Sequence, residues 1–246
     1  MTDFLDAIVL LTNYVLVPGV AYGSQLALGA LGVTLIYGIL RFANFAHGDM
    51  MAFGTMVVIL ITWWFQSIGF SIAPLPVALV ALPIGIAAAI VMSLGTDRLV
   101  YRFYRRRRSP SVIYILTSIG VMFVMNGIVR FIIGPDDQRF SDGARFIIKA
   151  REFKQATGLH EGLAIKLSQG ITVLVTLIVV VALFRFLHKS RTGKAMRAYS
   201  DNEDLALLSG ISPAKVVAIT WIITGALAAV VGTLYKVMRR RAFLRG

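Results

Sequence analysis

The chain has 246 residues, of which 57% are apolar and 15% are charged, and its mean hydropathy is +0.78. Soluble domains average about 45–50% apolar and about 25% charged residues, so this composition argues against a water-soluble enzyme. A net charge of +13 would suit a nucleic-acid-binding protein, but in so apolar a chain it favours basic loops facing anionic lipid, and we expect no nucleic-acid partner. The sequence contains no cysteine, which excludes disulfides and thiolate metal ligands.

Long uncharged stretches dominate the sequence, and we divide the chain at the charged residues between them. Each stretch is close to the roughly 20 residues that a helix needs to cross the bilayer core, whereas barrel strands need only about 9–11. A helix also satisfies its own backbone hydrogen bonds in lipid. We therefore predict an all-α, polytopic transmembrane helical bundle that forms one domain over 1–246. The predicted spans are 19–40, 50–67, 73–96, 111–133, 168–187 and 214–235.

The first uncharged stretch, 7–40, is too long for one span and too short for two spans with a turn. Pro18 and Gly19 lie inside it, and proline interrupts helical hydrogen bonding. We therefore predict a short, oblique helix over 5–17 ahead of the first full span.

The charges of the loops predict the orientation of the bundle. Loop 97–110 holds six arginines and one acid, and loop 185–215 is also basic, so the positive-inside tendency places both in the cytoplasm. Loop 134–167 holds six bases and five acids, and we expect it to face outside together with the amino terminus. The basic residues after Tyr235 conflict with this scheme, because six spans from an outside start place them outside too.

Capping signals between the fifth and sixth spans predict a short helix and a sharp corner. Ser200 and Glu203 have the spacing of a capping box, which predicts a helix over 201–209. Gly210 suits the left-handed residue after a helix, and Pro213 suits the first position of the next helix. The segment is either an ordinary connection or a surface helix that docks on a cytoplasmic partner.

Several polar residues lie close together in 41–49, the short connection between the first two full spans. Asn44, His47 and Asp49 follow one another there, and polar groups at membrane depth tend to mark function. A plain turn at the cytoplasmic surface is the alternative. The cluster does not predict a metal site, because the other two histidines fall in distant loops. Arg130 can extend to the lipid headgroups, so we do not assign it to substrate.

Small residues recur in the sixth span. Gly225-x-x-x-Ala229 and Ala228-x-x-x-Gly232 are small-xxx-small pairs, which permit close helix contacts. They indicate either packing within one bundle or a dimer interface.

No nucleotide-binding motif is present in the sequence. Gly193-Lys194 resembles the end of a phosphate loop, but a histidine stands where that motif requires its first glycine. We therefore expect no cofactor on this chain, and ATP and Mg²⁺ would bind to separate subunits. We also expect no enzymatic activity, because the sequence offers no catalytic constellation.

Taken together, several strings resemble the permeases of branched-chain amino acid ATP-binding cassette (ABC) transporters. Of the two permeases in such a transporter, the resemblance is to the first, or H-type, permease. The strings are YGILRFANFAHGDMMAFG at 37–54, DRLVYR at 97–102, ILTSIGVMFVMNG at 115–127, and, between 190 and 235, SRTGKAMRA and LLSGISPAKVVAITWIITGALAAVVGTLY. The resemblance covers 20–235. The Asn-Phe-Ala-His-Gly-acid string combined with the Arg-x-Gly-x-x-x-Arg loop is highly specific.

The resemblance implies a multi-pass permease subunit of an ATP-driven importer in a bacterial plasma membrane. The implied substrates are leucine, isoleucine and valine, with urea or short-chain amides as alternatives within the same family. The implied partners are a second permease subunit, two cytoplasmic ATP-binding subunits and a periplasmic or extracellular substrate-binding protein. The mechanism would be alternating access.

The family places the loop that corresponds to 188–213 against the ATPase. ABC permeases carry an E-A-A-x-x-x-G coupling motif, of which two of four positions agree here. The coupling residues would be Arg191, Gly193, Arg197, Asp204, Leu205, Ala206, Leu208 and Gly210. Asn44, His47 and Asp49 would line the translocation path.

The resemblance is expected to end near Tyr235, where family members continue with further apolar spans. We therefore expect the tail 236–246 to belong to a truncated or frameshifted product, or to be an engineered end. A rival function follows from this expectation, namely a transport-incompetent component of a membrane assembly.

Overall fold

The structure, a computed structural model, describes residues 2–70, 75–136, 146–148, 150–157 and 161–238. Its helices are α1 (Thr2–Leu11), α2 (Val17–Leu40), α3 (His47–Ser67), α4 (Ala78–Thr96), α5 (Arg102–Arg106), α6 (Ser111–Ile133), α7 (Ala150–Thr157), α8 (Leu167–Lys189), α9 (Arg191–Asp201), α10 (Glu203–Leu208) and α11 (Pro213–Met238). Two π-helical turns cover Thr12–Leu16 and Asp97–Tyr101. Strands β1 (Phe146–Ile148) and β2 (Ile165–Lys166) pair antiparallel, with an irregularity in register between them.

Six helical segments of the described chain are long and apolar enough to cross a membrane. They are Phe4–Leu40, His47–Ser67, Ala78–Arg106, Ser111–Ile133, Leu167–Lys189 and Pro213–Met238. The predicted all-α transmembrane bundle is therefore confirmed. The third span begins later than predicted, at Ala78, because Pro76 disfavours helical backbone in the residue before it.

Pro18 does not divide the first helix into two pieces, and the predicted break is wrong. The helix is continuous from Phe4 to Leu40 because a π-helical turn precedes the proline. In that turn the Val17 N–H donates to the Thr12 carbonyl, five residues back. This wider turn accommodates a ring that has no N–H to offer.

Helix α11 forms the centre of the bundle and packs against α2, α3, α4 and α8. Most of its residues are buried, including Ala228 and Ala229. A methyl group on Gly225 would lie 2.6 Å from Ser93 Oγ, and one on Gly232 would lie 2.6 Å from the Met51 carbonyl. The small residues of the sixth span therefore serve packing within one bundle.

The two ends of the bundle gather different loops, as the charge pattern predicted. At one end the Arg41 guanidinium donates to the Ser200 carbonyl, which joins α2 to the second basic loop. At the other end Asp6 Oδ1 accepts from the Glu161 N–H at 3.0 Å, and Asn13 Oδ1 accepts from the Ala164 N–H at 3.3 Å. The amino terminus thus lies beside the loop that was predicted to face outside.

Helix α11 runs from the arginine-rich end to the opposite end and continues past Tyr235 to Met238. Gln25 Nε2 lies 3.5 Å from Met238 Sδ there. The described start of the basic tail, 236–238, therefore lies at the end of the bundle that carries the amino terminus. Residues 239–246 lie outside the described part of the chain.

Candidate translocation cavity and coupling surface

Part of the connection between α2 and α3 folds into the bundle. Phe42 is buried, with ring centroids 5.1 Å from Tyr114 and 5.2 Å from Tyr101. The Phe45 N–H donates to Ser118 Oγ at 3.2 Å. Ser118 lies seven residues inside α6, which is about 10 Å along the helix from its first residue.

Asn44 and His47 are buried at this depth with polar atoms that lack partners. Asn44 Oδ1 accepts from the Ala46 N–H and from the Tyr101 hydroxyl, both at 3.1 Å. Asn44 Nδ2 and both ring nitrogens of His47 have no hydrogen-bond partner within the described residues. Buried polar atoms without partners are rare and costly, so these atoms suit a ligand or water.

The position of His47 depends on a glycine of the neighbouring helix. Its imidazole lies so close to Gly32 on α2 that a methyl group there would overlap the ring. Gly32 precedes the end of α2 by eight residues, or about 12 Å. His47 therefore lies well inside the bundle and not at its surface.

Asp49 faces a different neighbour from His47. Its Oδ1 accepts from Asn126 Nδ2 on α6 at 3.0 Å. The His47 N–H donates to the Asn44 carbonyl at 3.2 Å, but among the described residues no side-chain hydrogen bond joins Asn44, His47 and Asp49 to one another. The three predicted residues therefore share one short segment but contact Tyr101, Gly32 and Asn126 respectively.

A cavity of about 710 Å³ lies between α2, α3, α6 and α11. Most of its wall is apolar, formed by residues such as Met51, Met56 and Val231. Polar groups also line it, and the last three of them lie near or beyond the ends of α6 and α11, at the rim: His47, Thr55, Asn126, Gln25, Arg130, Asp136 and Lys236. An apolar cavity with a few convergent polar groups is the usual form of a small-molecule site.

Sequence reasoning missed two residues of this cavity. Arg130 was assigned to the headgroups, but it lines the cavity rim. Gln25 is buried on α2 and was not singled out. Both could have been predicted from the sequence, because polar residues inside a membrane span tend to mark function. Gln25 is an amide inside an uncharged span, and Arg130 lies one helical turn after Asn126.

The predicted coupling helix begins at a different residue from the one expected. Ser200 is not a helix cap: it lies inside α9, and its Oγ donates to the Gly38 carbonyl at 2.9 Å. Asn202 caps α10 instead, with its Oδ1 accepting from the Leu205 N–H at 3.0 Å. Serine and asparagine are both common caps, and only the contact with α2 decides between them.

Helix α9 packs on α8 at its start and bonds to α2, through Ser200, and to α10 near its end. At its start Ser190 Oγ accepts from the Gly193 N–H at 2.8 Å, and Gly193 packs so closely on Leu187 that a side chain would not fit. Near its end the Tyr199 hydroxyl donates to Glu203 at 2.6 Å. Burial, followed by this bond to Glu203, raises the pKa of Tyr199, so the hydroxyl keeps its proton at neutral pH.

Helix α10 ends in the corner that the sequence predicted. Gly210 has φ of +78°, its N–H donates to the Leu207 carbonyl, and the Ile211 N–H donates to the Ala206 carbonyl, both at 3.0 Å. This is a Schellman motif, which requires a left-handed residue. Pro213 then begins α11.

The outer face of α10 is apolar and unusually exposed. Leu208 is 86% exposed and Leu205 is 61% exposed, whereas Ala206 between them packs into the bundle. Of the other predicted coupling residues, Gly193 is buried, and Arg191, Arg197 and Asp204 are exposed at the same end. We call the exposed side of α10 with these charged residues the coupling surface.

Comparison with known proteins places this architecture in a family. Residues 15–245 match the family described as "Branched-chain amino acid transport system / permease component". The match continues past Tyr235, the point at which we expected the resemblance to end. No solved structure matches the chain significantly.

Curated relatives are 26% to 32% identical to this chain over the regions that match. The high-affinity branched-chain amino acid transport system permease protein LivH of Salmonella typhimurium is 32% identical over 222 residues, covering 88% of this chain and 68% of LivH. BraD of Pseudomonas aeruginosa, of the same description, is 29% identical over 220 residues, covering 89% and 69%. A probable LivH of Methanocaldococcus jannaschii is 26% identical over 226 residues, covering 89% and 65%. The chain therefore belongs to the branched-chain amino acid transport system permease family.

Proposed function

We propose that this chain is the transmembrane permease subunit of an ATP-driven importer of leucine, isoleucine and valine in a bacterial plasma membrane. The observation that carries the proposal is the family match over 15–245. The names of the relatives supply the substrate class, because LivH and BraD are described as branched-chain amino acid permeases.

Under this proposal the chain works with three kinds of partner protein. Two ATP-binding subunits hydrolyse ATP with Mg²⁺ on the cytoplasmic side, because the sequence itself carries no phosphate loop. A second permease subunit completes the membrane portion, and a substrate-binding protein delivers the amino acid near 134–167. The whole chain acts as one permease domain, with 188–213 as its coupling segment.

The chemistry of the cavity between α2, α3, α6 and α11 suits such a substrate. Its apolar wall accommodates a branched aliphatic side chain, which gains about 0.8 kcal/mol for each buried CH₂. Arg130 and Lys236 at the rim offer cations for a carboxylate, and Asp136 offers an anion for an ammonium group. We propose that Asn44, His47 and Asp49 lie along the path below this rim.

The coupling surface suits a protein partner. Leu205 and Leu208 expose apolar side chains beside charged residues, and exposed apolar surface rimmed by polar groups is typical of protein contacts. The hydrogen bonds of α9 with α2 and α10 provide a mechanical link from this surface to the bundle.

Reconstitution into proteoliposomes tests the proposal directly. The chain is combined with a second permease, ATP-binding subunits and a binding protein of the same importer class, and uptake of radiolabelled leucine is measured with and without ATP. We expect ATP-dependent uptake that valine and isoleucine inhibit and that urea does not. A complex that assembles and hydrolyses ATP but imports none of these solutes would contradict the proposal and favour a transport-incompetent assembly.

A further inference from the structure

A second cavity, of about 530 Å³, opens at the cytoplasmic end of the bundle, where α2, α5, α6, α9 and α11 meet. Its wall is strongly basic. Five arginines and one acid line it: Arg41, Arg102, Arg105, Arg106, Arg108 and Glu203. We call these arginines with their shared cavity the arginine pocket.

Most of this positive charge is not neutralised within the described chain. Arg105 forms a bidentate ion pair with Asp97, with N–O distances of 2.7 and 2.8 Å. Arg41 donates to the neutral Ser200 carbonyl. Glu203 already accepts from the Tyr199 hydroxyl at 2.6 Å. Among the described residues, no ion pair involves the other arginines of the pocket.

Two helix starts add to the positive potential. Helix α6 begins at Ser111 and α11 begins at Pro213, and both residues line the pocket. The first N–H groups of a helix lack intrahelical partners and carry partial positive charge. The pocket thus combines guanidinium groups with helix N-termini, and both favour phosphate-type anions.

The backbone supports a role for two of the arginine side chains. Arg41 has φ of +59° and Arg108 has φ of +49°, and within the described chain they are the two non-glycine residues with positive φ. Glycine would adopt this conformation without steric cost. Arginine at both positions indicates that the side chains are needed there, because the backbone alone favours glycine.

The floor of the pocket is apolar, which selects among phosphate-bearing ligands. Leu40, Phe42, Tyr114 and Val217 form it, between the ends of membrane-spanning helices. A basic rim over an apolar floor at this level matches an amphiphile whose headgroup is anionic. We propose that the arginine pocket binds the phosphate headgroup of an anionic phospholipid from the cytoplasmic leaflet.

Bound there, the lipid would contact both the arginine-rich loop and the coupling segment. The pocket wall includes Tyr199 and Glu203, which join α9 to α10. The lipid would hold these elements in one arrangement through charge. This binding is independent of whether the chain imports amino acids, so it can be measured on the purified protein alone.

Native mass spectrometry of the full chain in neutral detergent tests the inference. Dihexanoyl phosphatidylglycerol is titrated against dihexanoyl phosphatidylcholine, with inorganic phosphate as a competitor. The test variant is Arg102→Gln/Arg106→Gln/Arg108→Gln. The matched control, Arg98→Gln/Arg107→Gln/Arg185→Gln, removes the same charge from arginines that do not line the pocket.

We expect one phosphatidylglycerol per chain and no comparable binding of phosphatidylcholine. The test variant should bind phosphatidylglycerol about tenfold more weakly or worse, whereas the control should stay within about twofold of the parent. Arg108→Gly is a second variant that removes one guanidinium where glycine suits the backbone, so it should fold normally and still weaken binding.

Three results would overturn the inference. Equal weakening in the test and control variants would show that general surface charge, and not the pocket, attracts the lipid. Displacement by an equal concentration of inorganic phosphate would identify a free-anion site. Unchanged lipid binding in Arg108→Gly and in the triple variant, with lost binding of the ATP-binding subunits, would assign the pocket to an acidic protein segment.

Discussion

At the scale of single residues, the polar groups inside this bundle depend on neighbours that are distant in sequence. His47 is held against Gly32, and Asp49 is held by Asn126. In lipid such groups cannot turn to water, so each needs a protein partner, a cavity or a ligand. The two ring nitrogens of His47 have no hydrogen-bond partner among the described residues, so a cavity or a ligand is left to satisfy them.

Removing the buried polar groups should reduce transport and leave insertion intact. We expect His47→Ala and Asn44→Ala each to lower leucine uptake about tenfold, which corresponds to losing about 1.4 kcal/mol of interaction along the path. Uptake in proteoliposomes is compared with the amount of inserted protein. Thr34→Ala is the control, since Thr34 bonds only within its own helix and lies outside the cavity lining. Parental uptake in both variants would contradict the assignment.

Gly32→Ala should displace His47 without introducing any polar group. The added methyl would lie 2.7 Å from His47 Cε1, and such overpacking costs about 1–3 kcal/mol. We expect a lower thermal midpoint in detergent and reduced uptake. Gly23→Ala makes the same change on the same helix, where no atom lies within 4 Å of the new methyl, so it should be neutral or stabilising. Equal effects of the two substitutions would show that His47 is free to move aside.

At the scale of elements, the coupling surface shows how short helices gain order from tertiary contacts. Helix α10 has six residues, too few to be stable alone in water. Its Asn202 cap, the bond between Tyr199 and Glu203 and the Schellman turn at Gly210 fix it at both ends. These contacts hold Leu205 and Leu208 exposed on the outer face of α10.

Gly210→Val should misplace α10 while all spans remain inserted. Valine at φ of +78° meets the left-handed penalty of about 1–2 kcal/mol, so the corner should change conformation. We expect weaker co-purification of the ATP-binding subunits and lost uptake. Gly210→Asn is the matched control, because asparagine tolerates the left-handed region. If the valine variant co-purifies with the ATP-binding subunits and transports at the parental level, 188–213 is only a connecting segment and does not dock on a partner.

Leu208→Asp tests the same surface by adding a charge to it, whereas Gly210→Val changes the backbone conformation beside it. Leu208 is 86% exposed, so the substitution should leave the fold intact and place a carboxylate in an apolar contact. We expect ATP-binding subunits to dissociate from the variant more readily, as measured by co-purification. Ser209→Asp adds the same charge at the adjacent exposed position and should have a smaller effect. A Leu208→Asp variant that retains its partners would show that this leucine does not face them.

At the scale of the whole molecule, the charges of the loops and the packing of the helices agree on two ends. Reporters fused at Arg107 and Lys194 should both report the cytoplasm, and one fused at Phe153 should report the outside. The reason is the arginine excess in loop 97–110 and the contact of the amino terminus with Glu161 at the opposite end. The accessibility of each reporter to membrane-impermeant reagents shows on which side of the membrane it lies. A cytoplasmic Phe153 fusion would overturn the orientation.

The sequence by itself determined the class of this protein and its division into spans. Uncharged stretches of about 20 residues form membrane-spanning helices and hardly any other structure. The arginines of 97–110 marked one end of the bundle. Gly210 and Pro213 marked the corner before α11 because local backbone chemistry requires such residues. These features depend on near neighbours in sequence, and they could therefore be predicted.

Only the tertiary structure decided which faces of the helices meet. Nothing in the sequence pattern indicated that α11 lies at the centre, that His47 rests on Gly32, or that Ser200 bonds to α2 and leaves the capping role to Asn202. The physical reason is that lipid is as apolar as a protein core, so a membrane helix can be apolar on every side. Its packing face is then set by close fit and by paired polar groups, and these become visible only when the helices are brought together.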